Sequence, residues 1–349
     1  MFDPYPLVRP FLHRLDPEDA HEVTLRALEA NLVPGQPRND DPILATTLFG
    51  RVLSNPIGLA AGFDKNGRVY ERMRAQGFGF VEVGGVTPRP QAGNPRPRVF
   101  RLPEDGAVIN RMGFPNDGAD VVEARLRAKG RPEGIGLGVN LASNADSPDP
   151  ADDFVQLAQR FAHVADYLTL DVSCPNTANG QVFLDPARLA DLLVRLAAVD
   201  WGPGRPALAA KLAPDVDDAL LERLVATLLD AHIDAIIVAN TTRARPSGLR
   251  GAHAAEAGGL SGAPLFAPST LMLARVHALT GGRVPLIGVG GIASGADAYM
   301  KIRAGASAVQ LYTGLIYAGT GLVTRIKREL AALLRRDGFA SVEAAAAAT

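Results

Sequence analysis

The chain of 349 residues has a single cysteine, few lysines and no long apolar run. A disulfide scaffold needs cysteine pairs, so the lone Cys174 excludes that class. No stretch approaches the roughly 18 unbroken apolar residues of a membrane-spanning helix, and the N-terminus lacks a secretory signal pattern. The 36 basic and 37 acidic side chains give a net charge of −1, without the basic excess typical of nucleic-acid binders. We expect a soluble or peripheral cytoplasmic protein with no nucleic-acid partner.

Lysine is scarce compared with arginine. Only five of the 36 basic residues are lysines. Coding bias alone is one explanation of this ratio. Lys65 and Lys211 fall at the ends of predicted strands, whereas Lys129, Lys301 and Lys327 fall on predicted helices and are interpreted as generic.

Eight short apolar runs recur along the chain. Continuous apolarity, rather than alternation, is typical of parallel strands that are covered on both faces. The predicted strands are 57–61, 79–84, 134–139, 166–172, 207–212, 234–239, 284–289 and 307–312. Segments with helical periodicity lie between them, including 114–130, 185–199, 215–232 and 294–306, and a last helix covers about 314–336.

Eight strand–helix units predict a (β/α)8 TIM barrel over residues 41–340. A doubly wound sheet is the main rival. The count of eight, and polar residues at nearly every strand end, favour the barrel. The alanine-rich tail, 341–349, is expected to fray.

Residues 1–40 precede the barrel as a small helical extension. Asp16 and Pro17 predict the start of a helix over about 17–31. The apolar segment before it either packs on the barrel or anchors the protein at a membrane surface.

Glycine-rich turns and amides follow the predicted strands, at the face where barrels place their chemistry. The turn 288–291 and Tyr312-Thr313-Gly314 follow strands 7 and 8, the usual phosphate position of a barrel, although such turns also serve packing. Four asparagines suit a planar polar heterocycle, namely Asn110, Asn140, Asn176 and Asn240.

Cys174 follows strand 4 beside polar residues. Most lone cysteines are small buried hydrophobes, but a thiol at a strand end could also act as a base or nucleophile. The sequence contains no CxxC or HExxH motif, so no metal site is expected.

Several motifs, in order and with normal spacing from about residue 3 to 336, resemble class 2 dihydroorotate dehydrogenases. They are LDPEDAH (15–21), AAGFDKNG (60–67), the long segment 87–114, SCPNT (173–177), NTTRARPSGLRG (240–251), GGLSGAPL (258–265) and 288–315. The resemblance implies an FMN enzyme that oxidises (S)-dihydroorotate to orotate, the fourth step of de novo UMP synthesis, and passes electrons to a membrane quinone. It also implies peripheral attachment to the cytoplasmic side of the cell membrane.

The resemblance carries over site residues at matching positions. Cys174 takes the place of the catalytic base. The implied substrate residues are Lys65, Asn110, Arg111, Met112, Gly113, Phe114, Asp171, Asn176, Asn240 and Thr241. The implied flavin residues are Ala61, Gly62, Asn140, Lys211, Ser261 and Gly262, with Gly290, Gly291, Tyr312 and Thr313 at the phosphate. Arg101 and His21 match positions near the family's quinone tunnel.

The substrate side departs from the class 2 pattern. The family's Asn-x-Ser-Ser-Pro-Asn-Thr is here Asp171 to Thr177, with cysteine at the base position as in class 1 enzymes. An ionised Asp171 offers only acceptors and repels the orotate carboxylate. Further changes occur at Gly85, Ala142-Ser143 and 178–181.

Three functions are therefore compared. The first is quinone-dependent dihydroorotate oxidation. The second is a paralogous FMN oxidoreductase acting on another dihydropyrimidine or unsaturated ring. The third is a silent flavin-binding or membrane-surface protein, which would have no need of Cys174, Lys65 and Lys211.

Overall fold

The computed structural model describes residues 4–36, 39–132, 134–173, 176, 180–202 and 204–348. Its strands are β1 (Thr46–Leu48), β2 (Arg51–Leu53), β3 (Ile57–Leu59), β4 (Phe80–Val86), β5 (Val99–Leu102), β6 (Ala107–Asn110), β7 (Gly136–Leu141), β8 (Tyr167–Leu170), β9 (Ala207–Leu212), β10 (Ala235–Val238), β11 (Gly259–Gly262), β12 (Leu286–Val289) and β13 (Ala308–Leu311).

Helices occupy most of the chain between the strands. They are α1 (Tyr5–Leu12), α2 (Pro17–Glu29), α3 (Tyr70–Ala75), α4 (Ala119–Lys129), α5 (Pro150–Phe161), α6 (Pro186–Ala197), α7 (Asp218–Asp230), α8 (Phe266–Thr280), α9 (Gly295–Arg303), α10 (Thr313–Ala318), α11 (Gly321–Arg336) and α12 (Val342–Ala347).

Eight parallel strands close into a barrel, as the apolar runs predict. Their order around the barrel is β3, β4, β7, β8, β9, β10, β12 and β13, after which β13 pairs with β3. Consecutive strands are joined through helices on the outside, so all carboxyl ends lie at one mouth. The (β/α)8 prediction is confirmed.

Large aromatic side chains fill the barrel interior opposite glycines. The Phe80 ring lies where a Cβ on Gly58 would stand, with a carbon only 2.3 Å away, and the Tyr167 ring does the same at Gly138. At the amino-terminal end, β1 and β2 form a hairpin whose Phe49 stacks on Tyr167 with ring centroids 4.4 Å apart. The lower half of the barrel is therefore a packed core, at the end opposite the mouth.

The long segment after β4 is not a plain loop. It contains the hairpin β5–β6, and β11, from the connection after β10, pairs with β6 to give a three-stranded antiparallel sheet beside the mouth. Sequence periodicity missed this sheet because its strands are only four residues long.

The N-terminal extension forms two helices. Asp16 caps α2, as predicted, by accepting a hydrogen bond from the backbone N–H of Glu18. Helix α2 buries Ala20, Leu25 and Leu28, whereas α1 buries no residue. Within the described residues, no helix is long and apolar enough to cross a membrane.

Two sequence interpretations need correction. The tail expected to fray instead contains α12, which buries Val342 and Ala345 against the rest of the molecule. Lys301 and Lys327, read as generic helix residues, are both buried, at 0% and 6% exposure. Each lies on a helix face that packs inward and finds polar partners there.

Candidate active site

A cavity of about 480 Å³ opens at the carboxyl ends of the barrel strands and extends to α1 and α2. Strand-end residues line its inner part, among them Lys65, Asn140 and Lys211. Apolar side chains of the two helices, such as Val8 and Leu28, line its outer part. One continuous space thus joins a polar site at the mouth to an apolar passage.

The loop after β3 fixes Lys65 in this cavity. The buried Asp64 carboxylate accepts hydrogen bonds from the backbone N–H groups of Arg68 and Val69, at 2.8 and 2.7 Å. Lys65 Nζ donates to the Gly62 carbonyl at 2.6 Å. Burial lowers the pKa of Lys65 to about 8, with Arg98 adding to the effect and Glu18 opposing it. Lys65 is still mostly charged near neutral pH and can pair with a substrate carboxylate.

Asp171, at the end of β8, lies against Asn240. Its Oδ1 accepts a hydrogen bond from Asn240 Nδ2 at 3.0 Å, and the Asn240 side-chain carbonyl accepts from Thr241 N at 2.9 Å. Burial raises the pKa of Asp171 to about 6, an effect that Lys211 opposes. A pKa in that range makes the charge of this cavity residue depend on pH near neutrality.

A buried carboxylate beneath the cavity orients Asn140. Glu82 accepts hydrogen bonds from Asn140 Nδ2 at 3.0 Å, Tyr167 OH at 3.1 Å and Gln310 Nε2 at 2.8 Å. Because a carboxylate only accepts, the amide nitrogen must face Glu82. Asn140 Oδ1 is then left buried without a partner in the described part of the chain. It is available to a donor on a ligand.

The amides of Asn110 and Asn176 meet across the mouth. Asn176 Nδ2 donates to Asn110 Oδ1 at 3.4 Å, and both residues line the cavity together with Met112, Gly113 and Phe114. The neighbouring Arg111 does not: its guanidinium pairs with Glu256 at 2.7 Å, lies 4.6 Å from the Phe100 ring and faces away from the cavity. Direct contact between the Arg111 side chain and substrate is therefore not supported by the geometry.

The turn after β12 leaves room only for glycine. Gly290 and Gly291 have φ of 104° and 74°, and a Cβ on Gly291 would lie 2.5 Å from the Cβ of Phe266. Nearby, Thr313 Oγ1 donates to Ser261 Oγ at 2.9 Å. These residues line the cavity together with Tyr312, Gly262, Ala61 and Gly62. Bare backbone beside hydroxyl groups is the chemistry that proteins use to hold a phosphate.

His21 and Arg101 lie along the passage between the mouth and the N-terminal helices. His21 Nε2 donates to the Phe63 carbonyl at 2.8 Å, and burial, with Lys65 adding to it, lowers the pKa of His21 to about 4. Arg101 donates to the carbonyls of His13 and Leu15 at 2.9 and 3.1 Å. A neutral histidine and one arginine thus add polar groups to the apolar walls of this passage.

Most of the predicted site residues can be placed in the structure, but the predicted base cannot. Cys174 lies outside the described residues, as do Pro175 and 177–179. The other predicted substrate and flavin residues, apart from Arg111, all line the one cavity.

Sequence reasoning missed Glu82. The sequence does contain an indication of its role, because a glutamate stands inside the apolar run 79–84. A buried carboxylate is costly unless polar partners contact it. Those partners come from β7, β8 and β13, and their meeting depends on the closed barrel.

The fold and cavity define a (β/α)8-barrel enzyme whose site lies at the carboxyl ends of the strands. The model of a family described as dihydroorotate dehydrogenase matches residues 43–334. The chain belongs to this family.

Full-length relatives carry a more specific name. A protein of Rhodospirillum rubrum named dihydroorotate dehydrogenase (quinone) is 50% identical, and the match covers 100% of this chain and 95% of that one. A protein of Cereibacter sphaeroides with the same name is 53% identical over 95% of this chain and 93% of its own. The mitochondrial dihydroorotate dehydrogenase (quinone) of Arabidopsis thaliana is 46% identical over 99% of this chain and 81% of its own.

A solved structure agrees. The crystal structure of the Eimeria tenella enzyme in complex with ferulenol superposes with a TM-score of 0.91 at 38% identity, covering 95% of this chain and 94% of that one. The alternative of a paralogue with a different ring substrate receives no support from these relatives.

Proposed function

We propose that the protein is a quinone-dependent dihydroorotate dehydrogenase that uses FMN. The observation that carries this proposal is the continuous cavity, which joins strand-end amides and lysines to an apolar passage under α1 and α2. A water-soluble substrate can enter a polar mouth, while a lipid-soluble acceptor needs an apolar route. Relatives of similar length that are named for the same activity support it.

The residues present fit FMN. Gly290 and Gly291 line the cavity with backbone alone, because a Cβ on either residue would clash with α8, and Asn140 Oδ1 and Thr241 Oγ1 are buried without partners among the described residues. Gly290, Gly291, Tyr312 and Thr313 would hold the phosphate, and Ala61, Gly62, Asn140, Lys211, Ser261 and Gly262 would surround the ring. When bound, FMN supplies the two-electron redox chemistry of the site. Lys211, which lines the cavity, would supply a cation beside the ring and favour negative charge there.

Substrate binding falls to Lys65 and the amides. The ammonium of Lys65 can pair with the carboxylate of dihydroorotate. Asn110, Asn176 and Asn240, with Thr241, supply donors and acceptors for the pyrimidine edge. Because Asn176 bonds to Asn110, and Asn240 to Asp171, these side chains are held in place before substrate arrives. Such preorganisation lowers the entropy lost on binding.

Proton removal is assigned to Cys174. The residue stands where the class 2 family has its base, and a thiol with an ordinary pKa of about 8.5 releases its proton more readily than an alcohol. In the proposed step the Cys174 thiolate would accept the proton from C5 of the dihydropyrimidine, and the hydride lost from C6, with its two electrons, would be taken up by the redox chemistry that FMN supplies.

The N-terminal extension is proposed to rest on the cytoplasmic surface of the cell membrane. Leu7 and Phe11 of α1 are 65% and 66% exposed, with Val8 and Leu15 beside them also exposed. Because the cavity reaches α1 and α2, insertion of these side chains into the interface would bring the passage next to the lipid that holds quinone.

A steady-state assay tests the activity. Purified protein is mixed with dihydroorotate and either a short-chain ubiquinone or NAD⁺, and formation of orotate is followed by absorbance. We expect turnover with ubiquinone and none with NAD⁺. Orotate formation that depends on NAD⁺ alone would contradict the quinone assignment, and no orotate with either acceptor would contradict the substrate assignment.

A further inference from the structure

Lys301 is a fully buried lysine that lines neither the mouth nor the passage of the cavity. It lies on α9 and faces the first turn of α8. Its Nζ donates to Ser269 Oγ at 2.9 Å and to Thr270 Oγ1 at 3.1 Å, and it lies 5.2 Å from the Phe266 ring centroid. In the part of the chain that the structure describes, no carboxylate forms an ion pair with it. A buried amine held only by hydroxyl groups is costly, and the barrel core does not require one.

The two hydroxyl groups can only accept from Lys301. Ser269 Oγ donates to the Phe266 carbonyl at 3.1 Å, and Thr270 Oγ1 donates to the same carbonyl at 2.7 Å. Each hydroxyl has a single hydrogen, so its remaining role toward Lys301 is that of acceptor. Lys301 is thereby tied to the first turn of α8 by two directed hydrogen bonds.

The first turn of α8 packs directly against Gly290 and Gly291. A Cβ on Gly291 would lie 2.8 Å from the backbone nitrogen of Phe266, and one on Gly290 would lie 2.8 Å from Ser269 Oγ. Ser269 Oγ also lies 3.5 Å from the Gly290 carbonyl. The glycine turn is therefore in direct contact with the group that Lys301 holds.

We propose that Lys301 is a positioning residue for the FMN phosphate, acting through Ser269 on the Gly290–Gly291 turn, and that its protonated form strengthens FMN binding. The inference rests on the proposed function, because it requires FMN in the cavity. A phosphate dianion held by the turn would favour the charged amine, since Lys301 is fully buried and buried charges are screened less than exposed ones.

The surroundings of Lys301 allow it to titrate. Burial lowers the pKa of Lys301 to about 7, and Asp297 on the same helix opposes this. The other ionisable groups packed near α9 are already engaged or lie elsewhere: Glu329 of α11 accepts from Gly295 N, and the His277 ring of α8 lies against Gly305. If bound phosphate raises the pKa of Lys301 by one unit, FMN binds about fivefold more weakly at pH 9 than at pH 7.

Release of FMN from the holoenzyme tests this without any turnover. Wild type and Lys301→Met are diluted at pH 7 and pH 9, and free FMN is measured by fluorescence. We expect Lys301→Met to bind FMN about fivefold more weakly than wild type at pH 7, and to lack the roughly fivefold weakening that wild type shows between pH 7 and pH 9. Lys65 also titrates in this range, so the difference between the two profiles is the measured quantity. Lys129→Met, a substitution of a surface lysine of α4, is the matched control and should behave as wild type.

A second pair of variants decides the matter if Lys301→Met does not fold. Ser269→Ala removes the hydroxyl that reaches Gly290, whereas Thr270→Ala removes the other acceptor of Lys301 and leaves the contact with Gly290 in place. We expect faster FMN release from Ser269→Ala than from Thr270→Ala. Equal release from both, or parallel pH profiles of wild type and Lys301→Met, would overturn the inference and leave the proposed function standing. A wild-type protein that purifies without FMN would overturn the proposed function itself.

Discussion

At the scale of single residues, the lysines show what the arginine-rich composition conceals. Lys211, Lys301 and Lys327 are at most 6% exposed, and Lys65 lines the cavity. An arginine carries five donors in a rigid fork, whereas Lys65 meets one acceptor and Lys301 and Lys327 meet two each. Such sites suit the compact ammonium of lysine better than a guanidinium. Because this chain uses arginine at most other basic positions, its few lysines indicate these sites.

Asp171 predicts an unusual pH dependence of ligand binding. Orotate keeps its carboxylate charged through the range of interest, whereas Asp171 becomes neutral as the pH falls below about 6. Repulsion is therefore present above that pKa and lost below it. We expect the inhibition constant of orotate to fall by up to about tenfold per pH unit between pH 7.5 and pH 6.

Asp171→Asn should flatten that profile and bind orotate more tightly than wild type at pH 7.5. Asp146→Asn, which changes an exposed carboxylate outside the cavity, serves as the control and should keep the wild-type profile. If wild type and Asp171→Asn show the same pH dependence, Asp171 does not meet the substrate as a charge.

Cys174 is tested by two substitutions. Cys174→Ala should lower kcat by about 10²- to 10⁴-fold, the usual contribution of a general base. Cys174→Ser should retain more activity, with its pH dependence shifted upward because an alcohol is less acidic than a thiol. The measurement is kcat for dihydroorotate between pH 6 and pH 10. Unchanged turnover and pH dependence in Cys174→Ser would exclude the residue as the base.

At the scale of elements, α1 differs from the other helices of the described chain because none of its side chains is buried. It is held to the molecule through backbone acceptors of α10 instead: Tyr5 OH donates to the Ile316 carbonyl at 2.5 Å, and Arg9 donates to the Tyr317 carbonyl at 3.1 Å. A helix fixed by polar contacts, with Leu7 and Phe11 strongly exposed, is suited to a membrane surface.

Replacing Leu7 and Phe11 together by aspartate should abolish binding to phospholipid vesicles. We also expect KM for a long-chain quinone in those vesicles to rise, while reduction of the bound flavin by dihydroorotate stays the same. The check is vesicle co-sedimentation combined with the two kinetic assays. Leu271→Asp changes an equally exposed leucine on α8 and is the control. Wild-type sedimentation of the double variant would contradict a role of α1 in membrane binding.

Lys327 ties α11 to the segment before the barrel. Its Nζ lies 2.6 Å from Asp40 Oδ1 and 3.0 Å from the Gly77 carbonyl, and both charged side chains are about one-tenth exposed or less. Removing one member of a buried pair leaves the other charge without a partner. Lys327→Met should therefore lower the free energy of unfolding by about 3 kcal/mol.

Urea denaturation measures this loss of stability. The double variant Asp40→Asn with Lys327→Met shows whether the two charges stabilise each other. The double variant should be more stable than the sum of the two single losses predicts, because it leaves no charge unpaired. Additive losses would show that the two groups do not stabilise each other.

At the scale of the whole molecule, the sequence predicts the barrel well and its attachments poorly. Eight apolar runs identify all eight barrel strands, since burial on both faces leaves a strong local signal. The β1–β2 hairpin, the sheet of β5, β6 and β11, and the burial of Lys301 each depend on contacts between distant segments. Arg111 illustrates the same limit at the site: its position in a matching motif does not reveal that Glu256 holds its guanidinium outside the cavity.

The central claim is that one cavity connects dihydroorotate oxidation to a quinone. The most direct test is an anaerobic experiment on the purified yellow protein, with the flavin spectrum recorded throughout. We predict that dihydroorotate bleaches the flavin absorbance and that subsequent addition of a short-chain ubiquinone restores it. A flavin that dihydroorotate does not bleach, or that ubiquinone does not reoxidise once bleached, would contradict the account.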